Sequence, residues 1–288
     1  MIKIDLNPLK SSGLFNQLFS LVNAIIIGVK LSKNIYIEYF YPLYNNDNKI
    51  DINEIININK TNINLQQLKI KLFTKSDLNI DINWNNDNIN CLIPFKQDRT
   101  EERVFNEINK LQNIEFININ DTFGVYFARN KNFYYIFYNI LKDIVFSNKI
   151  YENLDLIIKN YKIPIDFKSV HLRLEDDYWR EAKEKIIYLF NQEFKNYNKN
   201  DFIFISTGLN PKDKYYYILE EFKKIYPNSI ILNKTPEIRE IDAIYDYLIC
   251  IRSNEFLGII DSTFSEVINY NFLSTNRKTK IINFMNKK

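Results

Sequence analysis

The chain carries one histidine, His171, two cysteines, Cys91 and Cys250, and five glycines in 288 residues. One imidazole and two distant thiols are too few for most transition-metal centres, and no Asp-x-Asp triplet offers paired carboxylates to a divalent ion, so no metal is expected. Each cysteine sits among apolar neighbours, which reads as a reduced, buried thiol rather than half of a disulfide framework. The net charge is only +3 and its lysines and arginines are scattered, so the electrostatic footprint of a nucleic-acid binder is missing. No long hydrophobic run occurs: Leu18 to Val29 is interrupted by Ser20 and Asn23 and falls short of the roughly 20 residues that cross a bilayer. It reads as a core helix, and no membrane span is expected. A strand-like run, Ile2 to Asp5, begins at once where a secretory leader would stand, so the expected location is cytoplasmic.

What is abundant is apolar and aromatic surface, 46% and 15% of residues, enough for a sizeable core without staples. Asparagine is so common that a single one is a weak signal. Glycine is so rare that one at a loop apex is expected to be there for its backbone freedom.

The first 40 residues predict a βαβ unit: strand Ile2 to Asp5, a turn to Gly13, helix Leu14 to Leu31 with apolar residues three and four apart, and strand Asn34 to Tyr39. Between about Asn45 and Asn120, Asn and Asp alternate with Ile without a clean period, which predicts loops and short strands. Helical patterns return between Phe123 and Tyr161, and Pro164 closes that region. Beyond it the chain alternates strand and helix: strands Phe167 to Leu172, Phe202 to Ser206, Ser229 to Leu232, Phe256 to Ile260 and Lys280 to Phe284, separated by helices Asp177 to Phe194, around Lys214 to Ile225, Glu237 to Ile251 and from Thr263. Such alternation predicts an α/β fold with a doubly wound parallel sheet in the C-terminal half. The expected division is an N-terminal α/β domain over 1–160, with the Asn/Ile-rich insertion on the acceptor side, and a Rossmann-like nucleotide-sugar-binding domain over 161–288. Ligands of such sheets sit beyond the carboxyl ends of the strands.

Four segments fall there. His171-Leu172-Arg173-Leu174-Glu175-Asp176-Asp177 ends a strand, and a guanidinium matches phosphate oxygens with its planar fork. The same residues could equally form a surface ion pair capping a helix. Asp261-Ser262-Thr263-Phe264-Ser265 ends another strand at a helix N-terminus, whose backbone N–H groups and dipole favour an anion. Thr263 and Glu266 also have capping-box spacing, which would start a helix with no ligand involved. Ser12-Gly13-Leu14-Phe15-Asn16-Gln17 is a glycine turn followed by two amides able to hydrogen-bond a sugar or phosphate. Ser206-Thr207-Gly208-Leu209-Asn210-Pro211 is a turn after a buried strand.

Together these segments resemble the fucosyltransferase superfamily. Ser12 to Phe19 looks like its first motif, and His171 to Asp177 like its His-x-Arg motif. The Glu-x-Asp within that second segment is closest to the protein O-fucosyltransferase branch. Asp246 to Ser253, followed by Phe256, Gly258, Ser262, Phe264 and Ser265, resembles that branch's last motif. The resemblance implies a GT-B fold of two Rossmann-like domains, a GDP-fucose donor and a glycan or protein acceptor, with inversion at the anomeric carbon and no metal or other cofactor. It implies Arg173 on the β-phosphate, His171 beside it, Ser262, Thr263 and Phe264 around the diphosphate, and Asn16 facing donor or acceptor. The candidate catalytic residues are Arg173, Asn16 and Glu175. Glu175 and Asp177 are candidates for the general base on residue type alone. The candidate donor-binding residues are Gly13, His171, Arg173, Asp177, Thr207, Gly208, Asp261, Ser262, Thr263, Phe264 and Ser265. A protein of the same fold that binds a nucleotide sugar without turning it over would carry the same motifs, and an unrelated interaction protein could share the α/β pattern.

Overall fold

The computed structural model of the protein describes residues 1–6, 13–42, 49–78, 101–119, 126–175, 182–209, 211–232 and 239–285. The chain divides into two compact units, Met1–Glu152 and Asn153–Lys288.

The first unit begins with β1 (Ile2–Ile4), α1 (Leu14–Leu31) and β2 (Ile35–Tyr36), as the apolar periodicity predicts. It continues through β3 (Tyr39–Phe40), β4 (Ile50–Asp51), α2 (Ile52–Ile55), α3 (Ile58–Asn64), β5 (Leu72–Phe73), α4 (Glu101–Lys110) and β6 (Ile117–Ile119), then α5 (Tyr126–Arg129), α6 (Tyr134–Asp143) and α7 (Asn148–Asn160), which runs past the division. Strands β5-β2-β1-β6 form a parallel sheet in that order, and β3 and β4 pair antiparallel. Helix α1 has the length and apolarity of a membrane span, yet Leu14, Phe15 and every residue from Gln17 to Gly28 are buried in the protein. Phe19 packs edge-on to Phe137 of α6, ring centres 4.8 Å apart. It is a core helix.

The stretch expected to hold loops and short strands contains α2, α3 and α4 as well as β5. Asp51 and Asn57 cap α2 and α3 with their side chains, accepting from the backbone N–H of Asn53 and Lys60. In α4, Val104 and Ile108, with Leu111 just beyond, form one buried stripe at helical spacing.

The second unit contains β7 (Lys168–His171), α8 (Lys183–Phe194), β8 (Ile203–Ser206), α9 (Tyr217–Ile225), β9 (Ser229–Ile230), α10 (Arg239–Cys250), β10 (Glu255–Ile259), α11 (Thr263–Ser274) and β11 (Lys278–Ile282). All five strands are parallel, in the order β11-β10-β7-β8-β9. The chain steps outward from β7 through β8 to β9, then returns to lay β10 and β11 on the other side. That is the doubly wound order of Rossmann folds, and its switch point lies between β7 and β10. One core face buries Val170, Ile186, Phe190, Ile205, Phe222 and Leu257. At the far end of the sheet Arg277 ties the turn after α10 to α11. Its Nη1 donates to the carbonyls of Ile251 and Ser253 at 2.7 and 2.9 Å, its Nη2 to Asn271 Oδ1 at 2.6 Å and its Nε to Thr275 Oγ1 at 2.9 Å, with the guanidinium 4.0 Å from the Phe272 ring centre.

Candidate active site

The carboxyl ends of β7, β8 and β10 bring most of the expected donor-binding residues to one edge of the second unit. His171 closes β7, opposite Ser206 of β8, and the ladder extends one step further through Leu172 N–H to the Ser206 carbonyl at 2.9 Å. Leu172 and Leu174 are buried in the apolar core. Alternation of successive side chains leaves His171, Arg173 and Glu175 on the opposite side of the chain. Arg173 is half-buried, with its Nε inside the protein.

From the β10 side, the turn through Asp261 delivers α11 onto the same edge. Asp261 adopts φ 61°, in the left-handed region that Asp tolerates better than most residues, and this reverses the chain between strand and helix. The N-cap of α11 is Ser262, whose side chain accepts from Ser265 N–H at 3.4 Å. The capping box suggested by the Thr263 and Glu266 spacing does not form, because Ser262 is the N-cap and Thr263 is already the first helical position. Ser265 is fully buried, and its Oγ accepts from Ile259 N–H at 3.1 Å and lies 2.7 Å from His171 Nδ1. Phe264 covers the imidazole, ring centres 4.6 Å apart. His171, Ser262, Thr263, Phe264 and Ser265 thus share one edge at the switch point, where the positive end of the α11 dipole is also directed.

Gly258 makes this approach possible. A Cβ there would lie 2.7 Å from Phe256 Cε1, 2.7 Å from Ile281 Cδ1 and 2.9 Å from Ser265 Oγ. From the β8 side, Glu175 Oε1 accepts from Gly208 N–H at 2.6 Å, while Thr207 is buried and its Oγ1 accepts from Leu209 N–H at 3.2 Å. Ser206 Oγ donates to Asp246 Oδ2 of α10 at 2.7 Å, both residues being buried. Asp177 lies outside the described residues.

Gly13 and Asn16 belong to the first unit, at the N-terminus of α1. Gly13 is the N-cap, with φ −61° and nothing within 4 Å of an added Cβ among the described residues. The backbone freedom expected of it is not used, because that φ is one any residue adopts. Asn16 is partly exposed on the first turn. Its neighbour Gln17 is fully buried, donates from Nε2 to the Tyr41 carbonyl at 2.7 Å and accepts from Tyr41 N–H at 2.9 Å. Of the two amides, Gln17 completes the backbone hydrogen bonding of Tyr41. Burial pushes the Tyr41 phenol up to about 12, with Asp5, Glu38 and Tyr39 adding to the shift.

Sequence reasoning missed Lys183, which is 1% exposed and sends its ammonium to the carbonyls of Leu174 and Glu175. Its local sequence, Glu-Ala-Lys-Glu-Lys, reads as a solvated helix face. Among the described residues no group of three or more His, Cys, Asp or Glu side chains is arranged to hold a metal ion.

The family model for GDP-fucose protein O-fucosyltransferase matches residues 42–271. Among solved structures, POFUT1 in complex with GDP-fucose superposes with a TM-score of 0.65 at 12% identity, covering 97% of each chain. The fucosyltransferase NodZ from Bradyrhizobium superposes with a TM-score of 0.55 at 13% identity, covering 93% of this chain and 92% of NodZ. No curated protein matches by sequence. These likenesses establish the fold of the fucosyltransferases, with a Rossmann-like parallel sheet in each unit. By its family match, the chain belongs to the GDP-fucose protein O-fucosyltransferase family and is a fucosyltransferase-like glycosyltransferase.

Proposed function

We propose that the protein transfers fucose, or a related deoxysugar, from a GDP-sugar to a hydroxyl of a glycan or protein, with inversion and without a metal ion. The observation that carries this reading is the meeting of the His171–Arg173 strand tip with the α11 N-terminus at the switch point of a doubly wound sheet. Transfer breaks the bond from the anomeric carbon to the β-phosphate oxygen, and that bonding pair leaves with GDP. The charge must be met by donors already in place. Arg173 supplies a permanent positive charge, and the helix N-terminus supplies oriented N–H dipoles, in the role a cation plays elsewhere. The acceptor oxygen forms the new bond from the opposite face, which inverts the anomeric configuration, and its proton passes to a base. Glu175, whose Oε1 accepts from Gly208 N–H, and Asp177 are the candidates for that base by residue type. Asn16, on the first unit, offers an uncharged donor and acceptor of the kind that binds hydroxyls.

The test is GDP release from GDP-fucose in the presence of glycan and protein acceptors and EDTA, with the product anomer assigned by NMR. Arg173→Ala is expected to lower turnover by about two to three orders of magnitude, as removal of one key transition-state donor does, with far-UV circular dichroism unchanged. Full activity in that variant refutes the role of Arg173. Saturable GDP binding with no transfer favours a nucleotide-sugar-binding protein instead.

A further inference from the structure

The loops that end β7 and β8 are held from beneath by a residue that touches neither the sheet ladder nor the exposed edge. Lys183 is the first residue of α8, where the helix dipole disfavours a cation, and it is 1% exposed, a burial that lysine rarely accepts. Its position therefore runs against two general preferences. What answers that cost is on the β7 loop: the ammonium donates to the carbonyl oxygens of Leu174 and Glu175, and it lies 5.0 Å from the Tyr215 ring centre. Those two carbonyls lie beyond the last ladder bond of β7, so they need partners from elsewhere. Glu175 in turn binds Gly208 N–H through its carboxylate. A continuous tie therefore runs from α8 through Lys183 to the backbone beside Arg173, and on to the loop after β8.

We propose that Lys183 is a positioning residue of the donor site, fixing the 172–175 segment so that the Arg173 guanidinium and the Thr207–Gly208 loop keep one geometry toward a nucleoside diphosphate. The proposal rests on the reading of Arg173 as a diphosphate ligand. Binding through a planar fork is sensitive to direction, so a loop that relaxes by a fraction of an ångström weakens it while the core stays packed.

The test is GDP binding by calorimetry on the full chain, with Lys183→Met, Lys183→Gln and Lys183→Arg, and with Phe222→Leu as a control for general loss of stability, since Phe222 lies in the apolar core. Lys183→Met and Lys183→Gln are expected to bind GDP roughly tenfold more weakly, the worth of a charge-assisted bond. Lys183→Arg, which keeps the charge but brings a larger group into a 1% exposed site, is expected to bind GDP more weakly than the parent and more tightly than Lys183→Met. Phe222→Leu is expected to bind as the parent does despite a lower melting temperature. Parental GDP affinity in folded Lys183→Met and Lys183→Gln overturns the proposal, as does an equal loss in Phe222→Leu. If neither Met nor Gln variant folds, the lysine serves the fold alone and the proposal is likewise overturned. A parent protein that does not bind GDP overturns the donor-site reading itself and the proposal with it.

Discussion

Replacing Gly258 by alanine adds one methyl group at the point where α11 is seated on β10. That carbon would stand 2.7 Å from Phe256 Cε1 and Ile281 Cδ1 and 2.9 Å from Ser265 Oγ, all closer than a methyl group is found to approach. Phe256 is fully buried and cannot swing into solvent. Overpacking of this kind costs about 1–3 kcal/mol, and alanine's smaller entropy loss in a strand returns about 0.5–1 kcal/mol. Ser265 adds a second loss, because its Oγ holds both Ile259 N–H and His171 Nδ1, and displacing it weakens bonds worth about 1 kcal/mol each. The net expectation is a loss of roughly 2 kcal/mol, which lowers the melting temperature by about 4–8 °C at about 2–4 °C per kcal/mol. The measurement is urea unfolding followed by circular dichroism, paired with GDP calorimetry, in which affinity is expected to fall several-fold as His171 loses its support. A variant at least as stable as the parent, with GDP affinity unchanged, would refute the reasoning, because α11 would then have room to withdraw without cost.

Two further perturbations address the first unit. Gln17→Glu sets a carboxylate oxygen against the Tyr41 carbonyl in a fully buried position, and thermal melts at neutral pH are expected to show a loss of about 2–4 kcal/mol. Tyr41 bears on alkaline stability: its folded pKa of about 12 exceeds the ordinary value of 10.0, so the folded state holds the phenolic proton more tightly. That contribution is complete below pH 10.0 and is lost as pH rises toward about 12. Urea titrations across this window are expected to show falling stability in the parent and a shallower fall in Tyr41→Phe.

The sequence made the second unit legible because β8 and β10 are short, largely apolar runs between turn residues and β7 lies within the predicted span Phe167 to Leu172, whereas β11 begins two residues before its predicted span Lys280 to Phe284. The βαβ start was legible for the same reason, through the three-and-four spacing along α1. Helices α2 and α3 escaped notice because four and seven residues span only about one and two turns, too few to show a period. Their caps, Asp51 and Asn57, are lost in a chain where Asn and Asp are everywhere. At the site, residue identities marked His171, Arg173 and the 262–265 turn, but not how they are held. Ser262 and Ser265 read as anion-binding hydroxyls at a helix start, whereas both are fully buried, one capping α11 and the other supporting the only imidazole. Pairings such as Ser206 with Asp246, forty positions apart, leave no local trace.

The clasp around Arg277 gives the molecule a lever. Helix α11 has 12 residues, about 18 Å at 1.5 Å per residue. Its C-terminal end is pinned by that guanidinium, and its other end aims Thr263 and Phe264 at the edge where chemistry is proposed. A tilt of only about 3° about the pin sweeps the aiming end through about 1 Å, a displacement that can cost an enzyme about a hundredfold in rate. Alignment of that proposed edge is thus governed partly from the opposite rim of the sheet, by a guanidinium about 18 Å away.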